Sequence, residues 1–258
     1  MASAKMEVRL SKIEAFVAQQ GVVKISDIAD HLQVSESTTR RDIEYLIAQK
    51  VLIKNYGFVA LSNAKTTLYD NPFLRKNINV QVKVALAEKA ASLICDGDII
   101  YIESGTTLIN MASKITAQNI TAVTSDVYIA AELCKHKTIT TVSTGGFILG
   151  ESALMVGDIA LNALNNLHFN KCFTSPGGIT PDGRITYFNI QASEIRRKVF
   201  ASSKSIVVLA EKKKFVQNAF VEDLALNNDV DVLITDEDPE NLPPSLAAHT
   251  QIYSIASE

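Results

Sequence analysis

Apolar residues recur at helical spacing from the start of the chain, at Leu10, Ile13, Phe16 and Val17. Gly21 is placed to end that helix. A second helix is expected over Ser26–Leu32, capped by Ser26, with Ile25, Ile28, Ala29 and Leu32 as its buried stripe. A third is expected from a cap at Ser35 or Ser37 to about Gln49, burying Thr39, Ile43, Leu46 and Ile47. Two apolar runs, Val51–Lys54 and Phe58–Leu61, flank Asn55-Tyr56-Gly57 and predict a small hairpin, or wing. Residues 63–76 show no clean period and are expected to be a linker. Beyond them the pattern alternates. Strands are expected at Ile99–Ile102, Ile120–Thr124, Thr138–Ser143, Lys171–Thr174, Ile206–Leu209, Val232–Thr235 and Ile252–Ile255. Helices are expected at Val82–Ile94, Thr107–Ile115, Val127–Lys135, Val156–Asn165 and Ile190–Ala201. That alternation predicts an α/β fold around a mainly parallel sheet. The expected division is 1–62, linker 63–76, and 77–258.

Composition changes this picture only by exclusion. No apolar run reaches the length of a membrane span, and the start of the chain has no signal-peptide run, so a cytoplasmic protein without a membrane partner is expected. The three cysteines, Cys95, Cys134 and Cys172, are far apart and fit neither a disulfide framework nor a zinc site; buried, reduced thiols are expected. His31, His136, His168 and His249 lack metal-ligand spacing, so no metal and no cofactor are expected. The net charge of −3 is not that of a globally basic nucleic-acid binder. Any DNA contact has to be local.

The third helix offers one. With Ile43 at the centre of its buried face, Ser37, Thr38, Arg41 and Tyr45 project outward, where they can enter a DNA groove. Arg40 lies on the flank, toward phosphate, and Lys54 and Asn55 lie near the wing tip. Two short helices with a tight link and a wing describe a winged helix-turn-helix. HTH proteins commonly read two-fold operators as dimers, so a homo-oligomer is expected.

In open α/β sheets ligands bind beyond the carboxyl ends of the strands. The turn Glu103-Ser104-Gly105-Thr106-Thr107 leaves one strand and opens a helix. Its N–H groups and hydroxyls suit an anion. Glu103 itself suits sugar hydroxyls. Thr124-Ser125, Gly145-Gly146 and Gly177-Gly178 are expected at the same sheet edge. The lysine run in Glu211-Lys212-Lys213-Lys214-Phe215 follows another strand, and one of its lysines can supply a cation.

The run Val34–Leu46, with Ser37-Thr38-Thr39-Arg40-Arg41-Asp42-Ile43, resembles the recognition helix of the DeoR family of bacterial regulators. So does the order of the later motifs: Ser104–Thr107, Thr124-Ser125, Gly145-Gly146, Lys214-Phe215 and Leu233-Ile234-Thr235-Asp236. Thr39, Glu103, Ser125, Glu211 and Val216 depart from the family's usual residues. The resemblance implies a repressor, more rarely an activator, of carbohydrate genes. It implies binding to double-stranded operator DNA under control of a phosphorylated sugar or sugar derivative. It also implies an effector domain similar in fold to ribose 5-phosphate isomerase, with the Ser-Gly-Thr-Thr loop holding phosphate and Lys214 as the lysine that supplies the cation. The rival reading is a phosphosugar isomerase with Glu194 as its base, although Glu194 could equally pair with Lys198 on a solvated helix face.

Overall fold

The computed structural model describes residues 4–20, 23–55, 58–61, 78–216, 219, 221–225, 229–242 and 250–255. The chain divides into two compact units, Met1–Arg75 and Lys76–Glu258. Gly21, Tyr56, Gly57 and the expected linker 63–76 lie outside the described residues.

In the first unit, α1 (Ala4–Gln20), α2 (Ile25–Leu32) and α3 (Glu36–Ala48) surround one core of Leu10, Ile13, Val17, Ile25, Ile28, Ile43 and Leu46. The antiparallel strands β1 (Val23–Lys24), β2 (Leu52–Asn55) and β3 (Phe58–Leu61) complete it in the order β1-β3-β2. Ser35 is the cap of α3: its extended backbone lets Oγ accept from the Thr38 amide at 3.3 Å. The expected Ser26 cap is not formed. The helix starts one residue earlier, directly off β1, and Ser26 sits inside its first turn, where its hydroxyl donates to Asp27.

In the second unit, seven parallel strands form one sheet. They are β4 (Ile99–Ile102), β5 (Ile120–Thr124), β6 (Ile139–Ser143), β9 (Lys171–Thr174), β12 (Ile206–Ala210), β14 (Val232–Thr235) and β15 (Gln251–Ser254). The order across the sheet is β15-β14-β12-β9-β4-β5-β6. Alternation along each strand divides the core in two. Ile100, Ile102, Ala122, Phe173, Val207 and Leu209 pack under α4 (Val80–Ala91), α5 (Thr106–Ser113) and α6 (Val127–Leu133). Tyr101, Val123, Cys172, Val208 and Leu233 face α7 (Asp158–Ala163) and α8 (Ser193–Ala201). At roughly 2–3 kcal/mol for each large side chain fully buried, these two layers hold the sheet.

Three expectations are corrected here. Val156 does not open a helix. It ends β8 (Leu154–Val156), which pairs antiparallel with β7 (Phe147–Leu149), and Gly157, at φ +89°, breaks the chain before α7. A second sheet accompanies the parallel one: β10 (Gly178–Ile179), β11 (Arg184–Tyr187) and β13 (Val221–Ala225) run antiparallel beside α8. Finally, all three cysteines are free, but Cys95 and Cys134 are exposed and only Cys172 is buried. Among the described residues no helix is long and apolar enough to cross a membrane.

Candidate effector site and DNA-reading helix

The strand order fixes where the second unit can bind a ligand. From β4 the chain adds β5 and then β6 on one side. The next strand of the sheet, β9, is laid down on the other side of β4. In open α/β sheets such a reversal, here between β4 and β9, is where ligands bind, above the carboxyl ends of the strands. The turn after β4 is Glu103-Ser104-Gly105, and Gly105 is the N-cap of α5. The amides of the first helical turn lack intrahelical partners and carry the positive end of the helix dipole.

Neighbouring turns close around this one. Ser104 Oγ donates to Asp126 Oδ2 at 2.5 Å, joining the turn after β4 to that after β5. Asp126 caps α6 with its other oxygen, accepting from the amides of Tyr128 and Ile129 at 2.8 and 3.0 Å. A Cβ on Gly105 would lie 3.7 Å from Ser175 Cβ in the turn after β9. Lys214 Nζ donates to the Gly177 carbonyl at 3.3 Å, bringing the turn after β12 to the Pro176–Gly178 turn. The Thr144 amide donates to Thr124 O at 3.1 Å, adding the turn after β6.

The candidate residues divide by what they already contact. Thr106, Thr107 and Lys214 are buried, and Ser104 is half-buried at the turn itself. Thr124 Oγ1 donates to Ile102 O at 2.7 Å, and Ser125 Oγ bonds the Tyr101 hydroxyl at 2.6 Å, so both side chains are engaged inside the sheet. Burial pushes the Tyr101 hydroxyl pKa far up, against the Ser125 hydrogen bond, so it stays protonated. Gly146, at φ +106°, has no room for a side chain: a Cβ would sit 2.5 Å from Val156 O. Gly177 is confined in the same way by the Phe188 ring at 2.7 Å. Gly178 lies in β10, its carbonyl accepting from Thr186 at 3.0 Å. At Gly145 and Gly105 an added Cβ would make only ordinary contacts, with no atom nearer than 3.7 Å. Glu211 is buried, and accepts from Asn79 Nδ2 at 2.8 Å and from Lys213 Nζ at 2.9 Å.

Glu103 is held by a residue that the sequence reading overlooked. Arg196, 3 % exposed, donates from Nη1 to Glu103 Oε1 at 3.3 Å, from Nε to Asp223 Oδ2 at 2.7 Å and from Nη2 to Asn189 O at 2.7 Å. Its guanidinium lies 4.1 Å from the centre of the Tyr187 ring. Thr174 Oγ1 takes the other Glu103 oxygen, and the Tyr187 hydroxyl bonds Thr174 at 2.8 Å. Burial pushes the Glu103 carboxyl up, opposed chiefly by the Arg196 charge and the Thr174 hydrogen bond. The signal for Arg196 was a periodic one. Ala192, Ile195, Arg196 and Val199 share the buried stripe at helical spacing, so one arginine falls where apolar residues belong. Glu194, the rival reading's base, is exposed on the other side of α8, and Lys198 donates to Asn165. Among the described residues no group of His, Cys, Asp and Glu could hold a metal ion.

In the first unit α3 presents Ser37, Arg40, Arg41 and Tyr45 to solvent, with Thr38 half-buried. Thr38 and Ser37 hydroxyls each lie 2.9 Å from Ser35 Oγ, and Arg40 pairs with Glu36 at 2.9 Å. Lys54 and Asn55 pair with Val59 and Phe58 at the turn end of β2 and β3. On the opposite face Asp42 is buried and gripped by Arg9 of α1, through Nε and through Nη2 at 2.9 Å. This fork fixes how α3 lies on α1.

Comparison with known proteins agrees with this architecture. Residues 9–65 match the DeoR-like helix-turn-helix domain, and residues 78–237 match the DeoR C terminal sensor domain. The chain is 31% identical over 182 residues to the lactose phosphotransferase system repressor of Lactococcus lactis, covering 69% of this chain and 71% of that one. It is 28% identical to the HTH-type transcriptional regulator GolR of Listeria innocua, covering 88% of this chain and 89% of that one. It is 26% identical to the glycerol-3-phosphate regulon repressor of Escherichia coli, covering 91% and 92%. Among solved structures, ribose 5-phosphate isomerase A from Neisseria gonorrhoeae overlaps 52% of each chain at 15% identity and a TM-score of 0.37, too low to carry an argument. With the sensor domain alone spanning more than half its length, the chain belongs to the DeoR family of helix-turn-helix transcriptional regulators.

Proposed function

We propose that this regulator is a cytoplasmic homo-oligomeric repressor of carbohydrate genes. It reads double-stranded operator DNA with α3 and responds to a phosphorylated sugar held above the sheet. The observation that carries the effector reading is the Ser104–Thr107 turn. It lies at the switch point between β4 and β9, at the start of α5, with Lys214 brought to the adjoining Gly177. The phosphate lies on the amides and hydroxyls of Ser104, Gly105, Thr106 and Thr107. Gly105 leaves space for its approach, and Gly145 leaves space at the turn after β6. Thr124, Ser125, Gly146, Gly177 and Gly178 act from behind, by shaping the turns. The repressors of the lactose phosphotransferase system and of the glycerol-3-phosphate regulon support carbohydrate control. Regulation needs a difference in effector affinity between two arrangements of the DNA-binding units.

On the DNA side, Arg41 is assigned to base readout, with Ser37, Thr38 and Tyr45 beside it, while Arg40, Lys54 and Asn55 face phosphate. Arg41→Ala is expected to cost roughly 1–3 kcal/mol on the operator and much less on random DNA. Lys54→Ala is expected to weaken both equally and flatten the salt dependence. Titration of labelled operator and scrambled duplexes across a salt series checks both. Equal losses on the two duplexes for Arg41→Ala would remove Arg41 from base readout.

The experiment for the whole reading is operator binding by the full chain with and without a panel of phosphorylated sugars. At least one is expected to change operator affinity, and its unphosphorylated counterpart is not. A panel without effect would refute the effector reading.

A further inference from the structure

The sheet ends at β6 in a way that sheet edges seldom do. Its residues, Ile139-Thr140-Thr141-Val142-Ser143, include no charge, proline or glycine, the usual guards against edge pairing. Val142 sits beside Val123 in the ladder. Val123 is buried in the core layer, whereas Val142 is 38% exposed. Beyond the end of the strand three large apolar side chains face solvent: Phe147 at 70%, Ile148 at 58% and Ile159 at 61% exposure. Phe147 and Ile148 alternate to the two faces of the β7–β8 hairpin, opposite Val156 and Met155. Phe147 packs over Gly157, and Ile159 lies against Gly145, just past the end of β6. The core layer therefore continues past the edge of the domain with nothing of this unit's described residues laid over it. Such a patch marks an interaction surface.

We infer that this patch is where a second copy of the chain docks, through the same residues of both copies about a two-fold axis. This rests on the homo-oligomer reading above. The charges around the patch favour a like partner. Lys137 stands exposed just before β6, next to the Lys135–Glu132 pair, and Asp158 stands exposed beside Ile159, beyond the other end of the strand. A two-fold axis across β6 sets the strands antiparallel, so the basic end of each copy meets the acidic end of the other. The uncharged edge between them is free to join. The patch is also tied to the proposed effector turn. The Met155 amide of the β7–β8 hairpin donates to Ser125 O at 2.7 Å, and Leu154 bridges Asp126, the carboxylate that accepts from Ser104. A ligand at Ser104 is thus linked through Asp126 to the hairpin that carries Phe147 and Ile148.

The test is sedimentation of the full chain, wild type against a Phe147→Asp/Ile148→Asp variant, with circular dichroism to confirm the fold. The wild type is expected to be an even-numbered oligomer and the variant to fall to half that mass. A folded variant of unchanged mass overturns this interface while leaving the homo-oligomer reading intact. A monomeric wild type overturns both. If the double variant does not fold, charge reversal decides. Lys137→Glu is expected to weaken association and Asp158→Lys in the same chain to restore it; unchanged association of the Lys137→Glu chain overturns the interface.

Discussion

Replacing Arg196 with methionine lowers the stability of the larger unit by about 3–5 kcal/mol, the cost of breaking a buried ion pair from one side. The guanidinium neutralises Glu103 and Asp223, both almost wholly inside the protein, and it also satisfies the Asn189 carbonyl. Methionine fills the space and leaves Glu103 buried without its counter-charge, while Asp223 keeps only the exposed Arg197, 3.2 Å away. The pH dependence identifies the cause. With the cation gone, the burial that already raises the Glu103 carboxyl is opposed chiefly by the Thr174 hydrogen bond, so its pKa rises further above that of the unfolded chain and the folded state holds more protons. Stability of the variant then falls as pH rises through that pKa. The deficit against wild type is smaller near pH 5 than near pH 8. Arg196→Lys restores the charge but not the fork, and recovers part of the loss. Urea unfolding of the full chain, followed by tyrosine fluorescence because the chain has no tryptophan, measures this at both pH values. A deficit independent of pH would show that Arg196 matters through packing alone.

Gly146→Ala is the second large effect, about 3 kcal/mol from steric overlap and backbone strain together. The added Cβ would lie 2.5 Å from the Val156 carbonyl oxygen and 3.0 Å from Ala160 Cβ, and neither belongs to a flexible side-chain end. The backbone at φ +106° is one that alanine rarely adopts. Gly105→Ala provides the contrast. Its nearest neighbours would be Ser175 Cβ at 3.7 Å and Leu108 Cδ1 at 3.8 Å, both ordinary contacts, and the expected cost is about 1 kcal/mol. The two glycines thus serve different purposes at one sheet edge. Gly146 admits β8 and α7, whereas Gly105 can take a methyl group at ordinary contact distance. Equal destabilisation by the two alanines would erase that distinction.

The elements that could be read from sequence were those with a single strong period. Runs such as Ile100–Ile102 and Ile206–Leu209 are buried on both faces and announce themselves as central parallel strands. The cap at Ser35 and the buried side of α3 followed from side-chain chemistry and spacing. What escaped was short or mixed. Gly178–Ile179 is two residues long, and Val221–Ala225 carries two acids, one of which, Asp223, turns inward to Arg196. The β7–β8 hairpin was hidden because Phe147 and Ile148 are apolar yet exposed, so period and burial disagree there. At the candidate site, the loop and its place at the strand end were legible in Glu103–Thr107. The partners of its side chains were not. Ser104 to Asp126 and Glu103 to Arg196 span 22 and 93 residues, and only the folded sheet brings them together.

The central claim is that the turn after β4 holds the phosphate of a sugar that controls DNA binding. Its most direct test is effector affinity measured by calorimetry on the full chain, wild type against Gly105→Ala, using whichever phosphorylated sugar of the panel alters operator binding. The methyl group, packed beside Ser175 and Leu108, is expected to stiffen and crowd the turn that the phosphate approaches. Affinity is expected to fall at least tenfold, about 1.4 kcal/mol, while the chain stays folded and still binds its operator. Unchanged affinity in a folded Gly105→Ala chain would contradict the account and place the phosphate elsewhere.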